Sequence, residues 1–192
     1  MKKWISQVNR GIILLLAVVL GVAIYIFADT LKANKHRTVL RDLAIQYTYD
    51  SSILYTFPQD LDLNDRSTKI RDVLLPSLYE KAEPIYHYFC NNDTVRHAQV
   101  DATYNYMYVS FISDMIPVSC SRTVTKVEVE EIYRGSATVC VYSNAVIEFQ
   151  DSEGKRSTRE AQVQDILLFV YQDGEWKIAN DSCDLTQMYD YY

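Results

Sequence analysis

Residues 11–28, GIILLLAVVLGVAIYIFA, contain no charged side chain, and this run limits the chain more than any other feature. At ~1.5 Å per residue a helix over these positions is about 27 Å long, close to the ~30 Å hydrocarbon core of a bilayer. A cleaved signal peptide has a shorter apolar region, ~7–15 residues, ending at a small-x-small site. Here the run is longer and its end, Ala28 with Ile26 two residues before it, is a poor cleavage site. The sequence therefore predicts an uncleaved anchor that takes the lipid bilayer as a partner through residues 11–28.

Charge divides at the same place. Residues 1–41 carry seven Lys and Arg against the single acid Asp29, while residues 42–192 hold 12 basic and 24 acidic side chains, a net of −12. An acidic domain without a Lys/Arg cluster cannot displace the counterions of a phosphate backbone, so nucleic acid is excluded as a partner. The flanks of the span nearly balance, with Lys2, Lys3 and Arg10 before it and Lys32, Lys35, Arg37 and Arg41 after it. A short basic N-terminal tail usually stays in the cytoplasm. The expected organisation is a cytoplasmic tail over 1–10, a transmembrane signal anchor over 11–28, a juxtamembrane helical stalk over 29–48 and an extracytoplasmic α+β domain over 49–192. This places the protein in the cell membrane as a single-pass protein with its C-terminal domain outside the cytoplasm.

Val39, Leu40, Leu43 and Tyr47 recur at helical spacing, which carries the stalk helix to about Tyr47. Residues 49–64 read as a connection. A second helix follows, capped by Asp65 or Ser67, with Ile70, Val73, Leu74 and Leu78 on one face. Pro76 removes a backbone donor inside that pattern and predicts a kink or two short helices, with helical character reaching towards Cys90. Val100, Ala102, Tyr104, Tyr106 and Tyr108 then alternate with Asp101, Thr103, Asn105 and Met107, which is strand spacing. Four further runs, Val124 to Arg134, Ala137 to Gln150, Glu160 to Tyr171 and Glu175 to Asp181, predict three consecutive hairpins. Asp173-Gly174 supplies the positive φ of a two-residue turn. In the second run Val139, Val141, Ala145, Ile147 and Phe149 form one apolar face, which the upstream helices would cover.

Helices followed by long antiparallel strands ending in LLFVYQDGEWKIAND resemble the nuclear transport factor 2-like superfamily, most clearly over residues 123–182. The resemblance implies an α+β fold in which helices pack on a curved antiparallel sheet. It does not fix an activity, since the superfamily includes ketosteroid isomerases, dehydratases, association domains and envelope scaffolds. Its enzymes hold a carboxylate, often with a Tyr or His, inside the cone. Asp101, Asp165 and His87 are the candidate pocket residues that this implies. Asp165 would point away from Ile166. A solvated strand aspartate is the other reading of it.

No nucleophile elbow, HExxH pair, Gly-rich phosphate loop or dinucleotide fingerprint occurs, and no cofactor is expected. A metal site is not expected either, because neither His87 nor His97 has a second ligand at His or Cys spacing. On a strand, Tyr104, Tyr106 and Tyr108 would share one face, as an interaction surface or as a core face with its hydroxyls at the rim. Cys90, Cys120, Cys140 and Cys183 are even in number and permit disulfides outside the cytosol; buried free thiols are the alternative. The layout of short tail, one span and this domain is similar to the bitopic scaffold subunit of type IV secretion systems. It implies a non-catalytic binding or scaffold protein of an envelope complex, with protein partners and compatible with a homo-oligomer. The alternatives are small-molecule or peptide binding in the cone, or an isomerase/dehydratase-type enzyme.

Overall fold

The computed structural model describes residues 10–58 and 70–183, and the chain divides into two units at Val39/Leu40. One helix, α1 (Arg10–Asp50), contributes to both units and passes through the expected span and stalk without a break. In the first unit every residue from Leu14 to Phe27 is exposed. An apolar helix with no protein to pack against has no stabilising partner in water. This helix is long and apolar enough to cross a membrane.

The second unit is an α+β domain in which helices pack on a curved four-stranded antiparallel sheet. Its first element is the end of α1, where Leu40, Ala44, Tyr47 and Thr48 are buried at helical spacing. A 3₁₀ turn, Ser51–Tyr55, adds Leu54 and Tyr55 to the core. Helix α2 (Ile70–Ala82) buries Leu74 and Leu78, whereas Val73, expected on the same face, is half exposed. The expected caps Asp65 and Ser67 lie outside the described residues. Pro76 stands inside α2 and does not divide it; helical geometry changes only at Glu83–Tyr88, a 3₁₀ turn with Pro84 in its first positions.

The largest departure from the sequence reading is at 93–112. The predicted strand over Val100–Tyr108 is part of helix α3 (Asp93–Ile112). The Asn92 side chain caps it by accepting from the Thr94 backbone N–H at 3.0 Å. Its buried residues Gln99, Val100, Thr103, Met107, Ser110 and Phe111 repeat every three or four positions. The alternating tyrosines mimic a strand, but the side chains that the core accepts have helical period, and tertiary burial overrides local propensity.

The sheet has order β1-β2-β3-β4, with β1 (Ile116–Tyr133), β2 (Ser136–Gln150), β3 (Arg156–Gln172) and β4 (Glu175–Cys183). The four predicted hairpin strands are present, with β1 starting at Ile116 instead of Val124 and β3 at Arg156 instead of Glu160. Arg134-Gly135 and Asp173-Gly174 form the two tight turns, all four residues at positive φ. Register shifts at Pro117/Ser119, Val124/Lys126 and Val129/Glu131 interrupt β1, and bulges of this kind bend a strand. Val139, Val141, Ala145, Ile147 and Phe149 are fully buried on the inner face, as their alternation predicts.

Candidate functional site

The inner face of the sheet carries a polar cluster set within the apolar core. Asp165 on β3 lies opposite Val141 of β2 on one side and Cys183 of β4 on the other. It is 2% exposed, and it does point away from the half-exposed Ile166. Its partner is Arg122 of β1, whose Nη2 contacts Asp165 Oδ2. Arg122 Nε and Nη2 also donate to the Ser143 hydroxyl of β2, at 3.2 and 2.8 Å. Burial disfavours the Arg122 charge, but the facing Asp165, with Cys183 and Tyr55 beyond it, more than offsets this and raises its pKa. The guanidinium is therefore a fixed cation.

A second acid stands beside this pair. Asp181 on β4 accepts the Tyr47 hydroxyl of α1 at Oδ2, at 2.6 Å, while its Oδ1 is buried with no hydrogen-bond partner among the described residues. Burial is the main cause that pushes the Asp181 pKa up to about 7, and the charge of Asp165 adds to it. The Tyr47 hydrogen bond and the Arg122 charge act the other way. Burial, together with Asp181, also raises the Tyr47 phenol well above its ordinary range, so it remains a donor. The Cys183 thiol is raised strongly by burial and by both aspartates, and such a thiol is a poor nucleophile.

Two clefts between α3 and β4 meet Asp181, with volumes of about 180 and 260 Å³. Gln99, Ala102 and Asp181 are common to both.

The three predicted pocket residues do not assemble. Only Asp165 is inside. His87 is exposed in the 3₁₀ turn, its Nδ1 2.8 Å from the Pro84 carbonyl oxygen and its ring 3.9 Å from that of Tyr88. Asp101 is exposed on α3 and accepts the Tyr79 hydroxyl at 3.0 Å. Arg122, Tyr47 and Asp181, which complete the buried cluster, were not among the sequence candidates. Nor do the three tyrosines form a ladder, because α3 is a helix. Tyr104 and Tyr108, one turn apart, have stacked rings at 5.9 Å, while Tyr106 packs towards the small cluster of Tyr55, Ala145, Ile147, Phe149 and Val163. All four cysteines are free thiols, Cys140 buried and the others half-buried. Among the described residues no three His, Cys, Asp or Glu side chains are grouped to hold a metal ion.

No protein-family model and no curated protein matches the chain. Solved structures do. The association domain of a Caenorhabditis elegans calcium/calmodulin-dependent kinase, CaMKII, is 22% identical with a TM-score of 0.25. That match covers 33% of this chain and 46% of the other, so the chain spans under half of that structure's length. An NTF2-like protein with a cystatin-like fold from Novosphingobium aromaticivorans is 11% identical, TM-score 0.42, covering 86% and 96%. CagV of Helicobacter pylori strain 26695, a VirB8 homolog of the type IV secretion system, is 8% identical, TM-score 0.43, covering 74% and 96%. The solved structures similar to this chain include a nuclear transport factor 2-like protein and a VirB8 homolog.

Proposed function

We propose that the protein is a membrane-anchored, extracytoplasmic binding or scaffold subunit of an envelope complex, and that it works by association instead of catalysis. The observation that carries this reading is the state of Asp165. The one candidate acid that the sequence placed inside the cone is sealed from solvent and held by Arg122, so it serves the fold. The other two candidates lie outside the cone and apart from it. The outer side of α3, by contrast, presents Tyr108, Val109 and Ile112 at 39, 47 and 59% exposure beside the stacked Tyr104. Tyrosine with neighbouring aliphatics suits an interface centre, since its ring buries large area at low entropic cost. The basic residues Lys2, Lys3 and Arg10 before the span support a cytoplasmic tail and an external domain.

The test is a photo-crosslinking amino acid placed at position 108 in the native host, with position 153, on the β2–β3 loop, as the comparison. A discrete heavier species formed from position 108 and abolished by Ile112→Ser supports the reading. If position 108 yields no adduct with any protein in cells that need this chain, the association reading fails.

A further inference from the structure

With Asp181 ionised, the cluster at the inner face holds one negative charge more than Arg122 balances. Arg122 is engaged by Asp165, and among the described residues no Lys or Arg lines either of the clefts that meet at Asp181. Ionised, Asp181 has among the described residues the Tyr47 hydroxyl alone as a donor, and its Oδ1 is unpaired and buried. A buried carboxylate oxygen in that condition is costly unless a donor reaches it.

We propose that the clefts at Asp181 form a binding site for a small organic amine, whose ammonium group donates to the Asp181 carboxylate. Three features select this ligand class. An anion would be repelled by the Asp181 carboxylate, and a neutral apolar molecule would bring it no donor. A divalent metal ion needs several oxygen or nitrogen ligands, and the described residues offer no group of three. The walls suit an amine with a small apolar body. Tyr55, Tyr106, Gln99 and Thr103 line one cleft beside Asp181, so the carboxylate stands among rings and neutral polar residues. Volumes of about 180 and 260 Å³ fall below the ~300–1,000 Å³ of sites for drug-sized ligands, which limits the body to a few carbons or one ring. This site is independent of the association reading, because it lies on the opposite side of α3 from Tyr108.

The titrating and charged groups facing Asp181 are Tyr47 from α1, Tyr55 from the 3₁₀ turn, Arg122 from β1, Asp165 from β3 and Cys183 from β4. From α3 the clefts receive only neutral side chains.

The experiment is calorimetric titration of the full chain in detergent micelles with ethyl-, butyl- and benzylammonium, with butanol as the neutral match, near pH 8 and near pH 5.5. At least one amine should saturate near pH 8 and bind roughly tenfold or more weakly near pH 5.5, where Asp181 holds a proton and the amine is unchanged. Asp181→Asn should weaken it by a similar factor, and Asp101→Asn, at an exposed acid on α3, should leave it unchanged. The proposal is overturned if no amine saturates, if butanol binds as tightly, or if binding is the same at both pH values. Should Asp181→Asn fail to fold, the butanol and pH comparisons on the unaltered chain decide alone.

Discussion

Arg122 and Asp165 meet across an intervening strand. The first is on β1, the second on β3, and Ser143 of β2 supplies the hydroxyl that Arg122 also holds; the two side chains are 1% and 3% exposed. Removing two charges from water costs several kcal/mol per ion, and the pair recovers this only while both partners are present. Arg122→Met should therefore cost about 3–5 kcal/mol, because it strands a buried carboxylate. The double change Arg122→Met with Asp165→Leu should recover most of that loss. Urea unfolding of residues 40–192 measures both. An Arg122→Met loss below ~1 kcal/mol would mean that water reaches Asp165.

Where a strand kept its register, sequence and structure agree in detail. Alternation along Val139–Phe149 named the inner face, and Asp173-Gly174 named a turn. The buried cluster was hidden by two departures from regularity. On β4 the pairing shifts between Leu168↔Asn180 and Phe169↔Ile178, leaving Ala179 as an extra residue. Counting by twos from Trp176 and Ile178 would send Asn180 and Ser182 inward, but the bulge sends Asp181 and Cys183 there instead. On β1 the strand begins at Ile116, so Arg122 fell before its predicted start. Asp165 could be assigned a face from Ile166, yet only the tertiary structure supplies the cation that makes its burial tolerable. In α3 the misleading signal was the tyrosine alternation itself, and the decisive one, Asn92 followed by Thr94, is short and easily outweighed.

The hairpin between β3 and β4 should be structural. Trp176 is 5% exposed and its ring meets that of Tyr171 edge-on at 5.1 Å. Trp176→Ala should cost about 3–5 kcal/mol in the same unfolding measurement. Gly174, at φ +90°, should resist replacement by valine although nothing lies within 4 Å of the added Cβ, because the strain is in the backbone. A Trp176→Ala loss of the size of a surface change would place the ring at a contact surface.

Topology is testable at the β2–β3 loop, where Ser152 is exposed and bonds to Asp114 at 2.7 Å. Ser152→Cys should give intact cells a clear gain in labelling by a membrane-impermeant maleimide over the parent chain with its four native thiols. A gain seen only after lysis would put residues 40–192 in the cytoplasm and reverse the proposed orientation.

The raised pKa of Asp181 makes stability depend on pH in a definite direction. Folded, this carboxyl titrates at about 7; unfolded, at its ordinary 3.8. Below about pH 4 both states hold the proton and the full contribution is present. Between 4 and 7 the folded chain keeps a proton that the unfolded chain has released, so stability falls as pH rises, by at most roughly 1.4 kcal/mol per pH unit. Above 7 the folded chain has also lost the proton, and the penalty of a buried, half-paired carboxylate is complete. Asp181→Asn cannot ionise and can still accept the Tyr47 hydroxyl. It should match the parent near pH 4 and exceed it above pH 7 by an amount on the order of 2–4 kcal/mol. Thermal or urea unfolding of both proteins across pH 4–8 gives this difference directly, and subtraction removes every other titrating group that the two share. A constant difference across that range would show that Asp181 ionises in the folded chain as it does in the unfolded one. A difference of opposite slope would mean that Arg122 dominates the site and holds Asp181 charged.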